Sequence, residues 1–249
     1  MSKTPNATPL IVAHRGDSAN APENTLASFR LALANGADGI ELDVMFSADQ
    51  KLVVIHDDTL DRTTNGHGLV GATPSDAIRE LDAGSRFGEK FKGEPVPLLD
   101  EVFAEFGGKF LINVELKNYK TPKDQLPDFV VALIKKHGLS ESVMLSSFNA
   151  RNLPRAKTLA PEIRTGLLTL PGILGLPMRG VLGRRYAADD LHPFHRDVSA
   201  RLVQSRHNLG QRVNVWTVDE PEDLRRMQSF GVDMIICNDP SHARRILER

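Results

Sequence analysis

The stretch Asp38–Asp58, DGIELDVMFSADQKLVVIHDD, decides the fold. It opens as the apolar alternation of a strand, but Glu41 and Asp43 interrupt it two residues apart. In a strand that spacing puts both carboxylates on one face. A second strand-like run, Lys51–Ile55, ends in His56 and Asp57. A hairpin closing at Asp49-Gln50 would set His56 across from Asp43. Paired acids beside a terminal histidine suit a metal and proton-transfer site; an exposed strand edge with ordinary polar decoration is the plainer alternative.

Outward from this stretch the chain alternates. On the N-terminal side, Leu10–Ala13 is a short buried-type strand running into His14-Arg15-Gly16, followed by Pro22-Glu23-Asn24-Thr25 and a helical LASFRLALANG with Gly36 as its stop. On the C-terminal side, residues 57–96 lose regular patterning; Gly, Thr and Asp crowd there, and the segment reads as a small inserted lobe. Its Gly66-His67-Gly68-Leu69-Val70-Gly71 has dinucleotide-loop spacing but neither follows a strand nor opens a helix, and is set aside. Strands then recur at Phe110–Leu116, Val143–Ser146, Thr165–Leu170, Asp190–Pro193, Val213–Val218 and Met234–Cys237, with helices at Leu99–Phe106, Asp124–Lys136, Arg151–Leu159, Val198–Asn208 and Glu222–Phe230. Pro171–Gly183 reads as a solvated loop, with a lid or an apolar substrate contact as the alternative.

Strand–helix alternation with short loops implies a parallel sheet covered by helices. Counting Lys51–Ile55 gives nine strand runs, and treating it as a hairpin arm leaves eight, the number of a (β/α)8 barrel. The polar residues support the barrel. His14, Glu41, Asp43, Glu115, Lys117, Phe148, His192 and Trp216 fall at or near strand C-terminal ends, which share one face in such a barrel. Buried parallel strands read as continuous apolar runs, so charges at several strand ends are hard to explain by packing.

The chain has 249 residues, 41% hydrophobic, enough for a full globular core; its net charge of -1 gives no reason to expect a nucleic-acid partner. The opening MSKTPNATPL lacks an apolar signal core, and no apolar run reaches the length of a membrane span, so stable membrane insertion is not expected. A single cysteine, Cys237, suits a reducing compartment, and a cytoplasmic protein is the expectation.

Each candidate has its own chemistry. Gly16 permits close backbone approach by a ligand, and Arg15 offers a fork for phosphate oxygens. Glu115 and Lys117 again show strand spacing: the acid can complete a three-carboxylate cation site and the lysine can offset phosphate charge, or the two form a cross-strand ion pair. Oxygen ligands without Cys or clustered His favour Mg2+ or Ca2+ over zinc. Trp216 walls a substrate pocket or fills the barrel top.

With these residues in view, the chain resembles the glycerophosphodiester phosphodiesterase family. The matching pieces are His14-Arg15-Gly16, Pro22-Glu23-Asn24-Thr25, Glu41-Leu42-Asp43-Val44, Val53-Val54-Ile55-His56-Asp57, Arg62-Thr63-Thr64, Val114-Glu115-Leu116-Lys117, Ser146-Ser147-Phe148 and Trp216-Thr217-Val218-Asp219, in the family's order over nearly the whole chain. The resemblance implies a single TIM-barrel domain over 1–249 with 57–96 inserted after the second barrel strand. It also implies a divalent cation, Mg2+ or Ca2+, on positions matching Glu41, Asp43 and Glu115. His14 and His56 would be the acid/base pair, Arg15 and Lys117 would lie near the phosphate, and Phe148 and Trp216 would contact substrate. The activity implied is hydrolysis of a small-molecule glycerophosphodiester to glycerol 3-phosphate and an alcohol. A related barrel acting on lysophospholipids or sphingolipids and a non-catalytic phosphodiester-binding barrel are the rivals, and a homo-oligomer stays open. The chain departs from the family pattern at Cys237-Asn238-Asp239, where a Thr-Asp segment is usual, a departure expected to lie away from the chemistry.

Overall fold

The computed structural model describes residues 8–248; most of the opening segment read for a signal core lies outside the described residues. Apolar strand runs too short to bury themselves singly pair side by side. In chain order these are β1 (Leu10–His14), β2 (Gly39–Phe46), β3 (Leu52–Val54), β4 (Leu111–Leu116), β5 (Val143–Ser147), β6 (Arg164–Thr169), β7 (Asp190–Pro193), β8 (Arg212–Val215) and β9 (Met234–Cys237). All but β3 are parallel, and pairing of β1 with both β9 and β2 closes an eight-stranded barrel. A closed parallel sheet leaves no strand edge unpaired.

Helices fill the crossovers: α1 (Leu26–Ala34), α2 (Ser75–Arg79) in the lobe, α3 (Leu99–Phe106), α4 (Leu126–His137), α5 (Asn152–Leu159), α6 (Leu176–Arg179), α7 (Val181–Arg184), α8 (Ala200–His207), α9 (Pro221–Phe230) and α10 (Pro240–Leu247). The largest core lies between strands and helices, joining Ile40, Leu42 and Val44 of β2 to Phe103 and Phe106 of α3 and Val130 and Ile134 of α4. The barrel interior below its mouth is an apolar plug of Val12, Met144, Met234 and Ile236.

The run Lys51–Ile55 is a hairpin arm, as its exclusion from the barrel count implies: β3 lies antiparallel on the upper half of β2. The register differs by one residue from the expectation. Phe46 pairs with Leu52 and Val44 with Val54, and Ile55 donates its N–H to the Asp43 carbonyl at 3.1 Å, so Ile55, not His56, opposes Asp43. The turn has three residues, Ala48 to Gln50, rather than two, with Gln50 left-handed at φ 58. Between β3 and α3, the segment covering 57–96 folds over its own small core of Leu60, Val70, Ile78, Ala83 and Val96, stitched to Met45, Val53 and Ile55 of the hairpin.

Two further differences have local causes. α10 has no counterpart in the strand-and-helix pattern read above; it starts where the Asp239 carboxylate accepts the His242 N–H at 2.8 Å and Pro240 occupies the first turn. The loop expected at 171–183 instead forms short helical turns. Arg179 is buried there, donating to the carbonyls of Leu170 at 2.8 Å and Gly172 at 2.6 Å and to Asp197 at 2.9 Å, which pins the segment while Ile173, Leu174, Leu176 and Val181 stay exposed.

His192 lies near the end of β7 yet points into the barrel, fully buried, where Asn214 donates to its Nε2 at 2.9 Å. Only glycine fits beside it, since a Cβ on Gly166 would stand 2.3 Å from that nitrogen. Burial, opposed by Asp190, lowers the His192 pKa from 6.5 to about 4. An imidazole whose folded pKa lies below its unfolded one takes up its proton first in the unfolded chain. Stability is therefore lost as pH falls from about 6.5 towards 4, by about 3 kcal/mol. Urea unfolding between pH 8 and 4 should show a loss of at least that size in the wild type, and His192→Gln should make it smaller by about that amount.

Candidate active site

The end of β1 sets the site's first wall. After His14 the chain turns sharply, Arg15 at φ 57 and Gly16 at φ 82, both left-handed. A side chain on Gly16 would strike the Ser28 hydroxyl at 2.3 Å, so glycine is required both by conformation and by space. The turn aims the Arg15 N–H at Glu41 Oε2, 3.1 Å away.

The motif Pro22-Glu23-Asn24-Thr25 resolves into separate duties. Thr25 caps α1, its hydroxyl accepting the Ser28 N–H at 3.2 Å. Asn24, left-handed at φ 56, donates its amide to Asp43 Oδ2 at 2.9 Å. Glu23 bridges the two arginines of the site, 2.9 Å from Arg15 Nη1 and 2.7 Å from Arg62 Nη1.

Glu41 and Asp43 share the inner face of β2, and β4 lies beside it in register, Asp43 against Glu115. Carboxylate oxygens of Glu41, Asp43 and Glu115 lie within 4.8 Å of one another, all buried. Lys117 Nζ stands 3.1 Å from Glu115 and 3.5 Å from Asp43, and Arg15 Nε 3.2 Å from Asp43. The Arg15–Asp43 contact is an ion pair without a well-aligned hydrogen bond, which leaves the Arg15 Nε–H unspent. Three acids thus face two side-chain cations, and one negative charge is left over.

The protonation preferences carry that imbalance. Burial, then the charges of Asp43 and Glu115, pushes the Glu41 carboxyl well above its usual range. Burial and Asp43 likewise raise Glu115. Asp43 shifts the other way: against its burial, Arg15, Lys117 and His56 hold it below the usual carboxylate range. One cluster therefore contains a carboxyl held ionised and two that burial and their acidic neighbours keep from ionising readily.

Both histidines of the sequence reading reach the same opening. His14, Arg15, Glu41, His56, Glu115, Lys117, Phe148 and Trp216 line one small pocket at the barrel mouth, whose inner lining includes Asn113, Ser146 and Ile236. His14 is largely buried and its Nδ1 lies 2.8 Å from Asn238 Oδ1; burial and the Arg15 charge lower its pKa to about 4. His56 holds Asp57 through Nδ1 at 2.6 Å, and Arg62 grips the same carboxylate at 2.6 Å, which keeps Asp57 well below its usual range. His192, a strand-end residue in the sequence, is the one that does not join them.

The mouth is rimmed by aromatics. Tyr119 meets Phe148 edge-on at 5.9 Å, Phe148 meets Trp216 at 5.5 Å, and the Trp216 indole donates to the His192 carbonyl at 2.9 Å. Trp216 does both things the sequence left open: it packs against the barrel plug and it lines the pocket. Tyr119 was overlooked in the sequence. Its hydroxyl donates to Glu115 at 2.6 Å and its ring lies 5.2 Å below the Lys117 ammonium. The spacing Glu115, Lys117, Tyr119 continues the strand period and is the signal that could have found it. Asn238, set aside as remote from the chemistry, instead touches His14 directly, because the closure of β9 on β1 brings their ends together.

Known proteins are similar over nearly the whole chain. The profile of the glycerophosphoryl diester phosphodiesterase family matches residues 14–242. A glycerophosphodiester phosphodiesterase of Caldanaerobacter subterraneus subsp. tengcongensis is 46% identical over 93% of this chain and 94% of its own length. Among solved structures, an Oleispira antarctica phosphodiesterase in complex with its product sn-glycerol-3-phosphate superposes with a TM-score of 0.85 at 31% identity, covering 97% of this chain and 98% of that one. The glycerophosphodiester phosphodiesterase of Agrobacterium tumefaciens has a TM-score of 0.81 at 34% identity, covering 95% of this chain and 99% of that one. With its profile match running from the first site histidine through to α10, the chain belongs to the glycerophosphoryl diester phosphodiesterase family and is an enzyme of that class.

Proposed function

We propose that this protein hydrolyses glycerophosphodiesters to glycerol 3-phosphate and an alcohol, with His14 and His56 as the acid/base pair and Glu41, Asp43 and Glu115 as holders of a divalent cation, Mg2+ or Ca2+. The observation that carries the reading is the convergence of two imidazoles, an arginine, a lysine and the acid cluster on one pocket.

The residues fit such a cation. The three carboxylates lie close enough to share an ion. Asn113 Oδ1 and Ser146 Oγ, in the same pocket, are buried oxygens without a hydrogen-bond partner among the described residues. Oxygen donors of this kind suit a hard cation rather than a thiophilic one. Bound there, the cation would supply positive charge against the non-bridging phosphate oxygens. A divalent charge added to the cluster turns its single negative surplus into a single positive one, which matches one phosphodiester anion.

The chain's own groups do the rest. Arg15 offers its guanidinium charge, and Lys117 its ammonium, to the phosphate. His14, kept neutral by burial, is the group suited to take a proton from the nucleophile, either the adjacent glycerol hydroxyl or water. His56, with the Asp57 carboxylate on its Nδ1, is suited to carry a proton and deliver it to the departing alkoxide. Phe148 and Trp216 offer apolar walls to the substrate carbons.

A single barrel domain, with 57–96 as an insertion that brings Arg62 to Asp57 and Glu23, belongs to the same reading. No helix among the described residues is long and apolar enough to cross a membrane, and the cytoplasmic expectation rests on Cys237 as the sole cysteine. The related activity on lysophospholipids or sphingolipids has one observation in its favour: Ile173, Leu174 and Val181, each more than 70% exposed, form an apolar segment that leaves the barrel after β6.

His14→Ala and His56→Ala should each lower kcat on glycerophosphocholine by at least about a hundredfold with unchanged circular dichroism, since each proton transfer is worth roughly a hundred- to ten-thousand-fold; near wild-type turnover in either would refute the assignment. EDTA should silence turnover and Mg2+ or Ca2+ restore it. At a hundredfold excess over Kd the same cation should add about 2.7 kcal/mol of stability, read as a rise in Tm absent from Glu41→Gln. Rates on glycerophosphocholine and lysophosphatidylcholine compared side by side should favour the former, and the reverse order would replace this substrate class with the lysophospholipid one.

A further inference from the structure

Asn238 follows directly on β9, and the parallel pairing of β9 with β1, Ala13 against Cys237, carries it to the flank of His14. Its side chain has three partners. The amide nitrogen donates to Asp219 Oδ2 at 2.6 Å, while the backbone N–H of the same residue donates to Asp219 Oδ1 at 2.7 Å. The amide oxygen accepts from the Ser18 hydroxyl at 3.0 Å and meets His14 Nδ1 at 2.8 Å.

Only one orientation of that amide is compatible with these partners. A carboxylate offers acceptors alone, so the group 2.6 Å from Asp219 must be the NH2 and not the oxygen. The oxygen is then forced towards His14, and an oxygen acceptor there requires a proton on Nδ1. The lone pair falls on Nε2, which has no hydrogen-bond partner among the described residues.

We propose that Asp219 and Asn238 are positioning residues that act in series: Asp219 fixes the amide of Asn238, and Asn238 fixes His14 as the Nδ1–H tautomer with Nε2 free to accept the proton of the nucleophile. The inference rests on the role of His14 in the proposed reaction. It deepens that role by explaining why one ring nitrogen and not the other is the base. An amide does this without adding a charge beside the imidazole, whereas a carboxylate at the same place would also favour the imidazolium.

Nitrogen-15 NMR of the labelled full-length protein near neutral pH reads the tautomer directly. His14, assigned by its absence from His14→Ala, should show a protonated Nδ1 and an unprotonated Nε2 in the wild type. Asp219→Asn and Asn238→Ala should both mix the tautomers and lower kcat by roughly 10- to 100-fold, the range for loss of an orienting partner, with KM changed less than about twofold. A wild-type spectrum with the proton on Nε2 overturns the proposal whatever the variants do. Both variants retaining the wild-type spectrum and kcat would overturn it as well. If His14→Ala itself remains active, the acid/base reading fails instead, and the two failures are told apart by the spectrum.

Discussion

Three buried carboxylates within 4.8 Å of one another repel, and the rim of this barrel is arranged around holding that repulsion in check. The left-handed turn at Arg15-Gly16 exists where a backbone N–H must reach Glu41 and a guanidinium must reach Asp43. Asn24 and Lys117 approach Asp43 from other directions, and Tyr119 fixes Glu115. Burial, with neutralisation incomplete, makes Glu41 and Glu115 resist ionisation, while Arg15, Lys117 and His56 hold Asp43 ionised against its burial. On the proposed reading, a cation would fill the one positive charge this site lacks and, through it, the site would receive an anion; such fixed charges act without reorganising during the reaction.

Two parts of the chain far apart in sequence share this rim. His14 belongs to the barrel, whereas His56 hangs from the hairpin that β3 makes on β2. What ties them is a chain of charged contacts running Arg15, Glu23, Arg62, Asp57, His56. Arg62 is nearly half exposed, so each pair contributes little to stability by itself. Its value is geometric: Glu23 binds both arginines at once, and the lobe cannot swing away without breaking bonds on either side. The aromatic series Tyr119, Phe148, Trp216 and Phe194 closes the opposite side of the mouth.

The patterns that survive in sequence are those set by strand period and strand end. Glu41 with Asp43, and Glu115 with Lys117, were legible because a period of two puts them on one face and the barrel gathers strand ends. The same logic misplaced His192, since the last residues of a strand can point into the barrel as readily as above it; a glycine opposite, Gly166, makes the room. The hairpin arm was legible but its register was not, because a third turn residue in the left-handed region shifts every pairing by one. α10 and the pinned helical turns at 171–183 escaped notice, since the first begins with a cap and the second depends on one buried arginine.

The sequence by itself determined most of the alternation of strands and helices and the acids and bases of the rim, because these are written in local spacing, and the family through motifs that match it in order. Tertiary structure decided how charge is shared among them, which nitrogen of His14 faces its orienting amide, and that Asn238 matters at all. Charge sharing depends on β2 lying between β1 and β4, and the His14–Asn238 contact on closure of β9 against β1, which brings groups 224 residues apart to 2.8 Å; no local pattern encodes either.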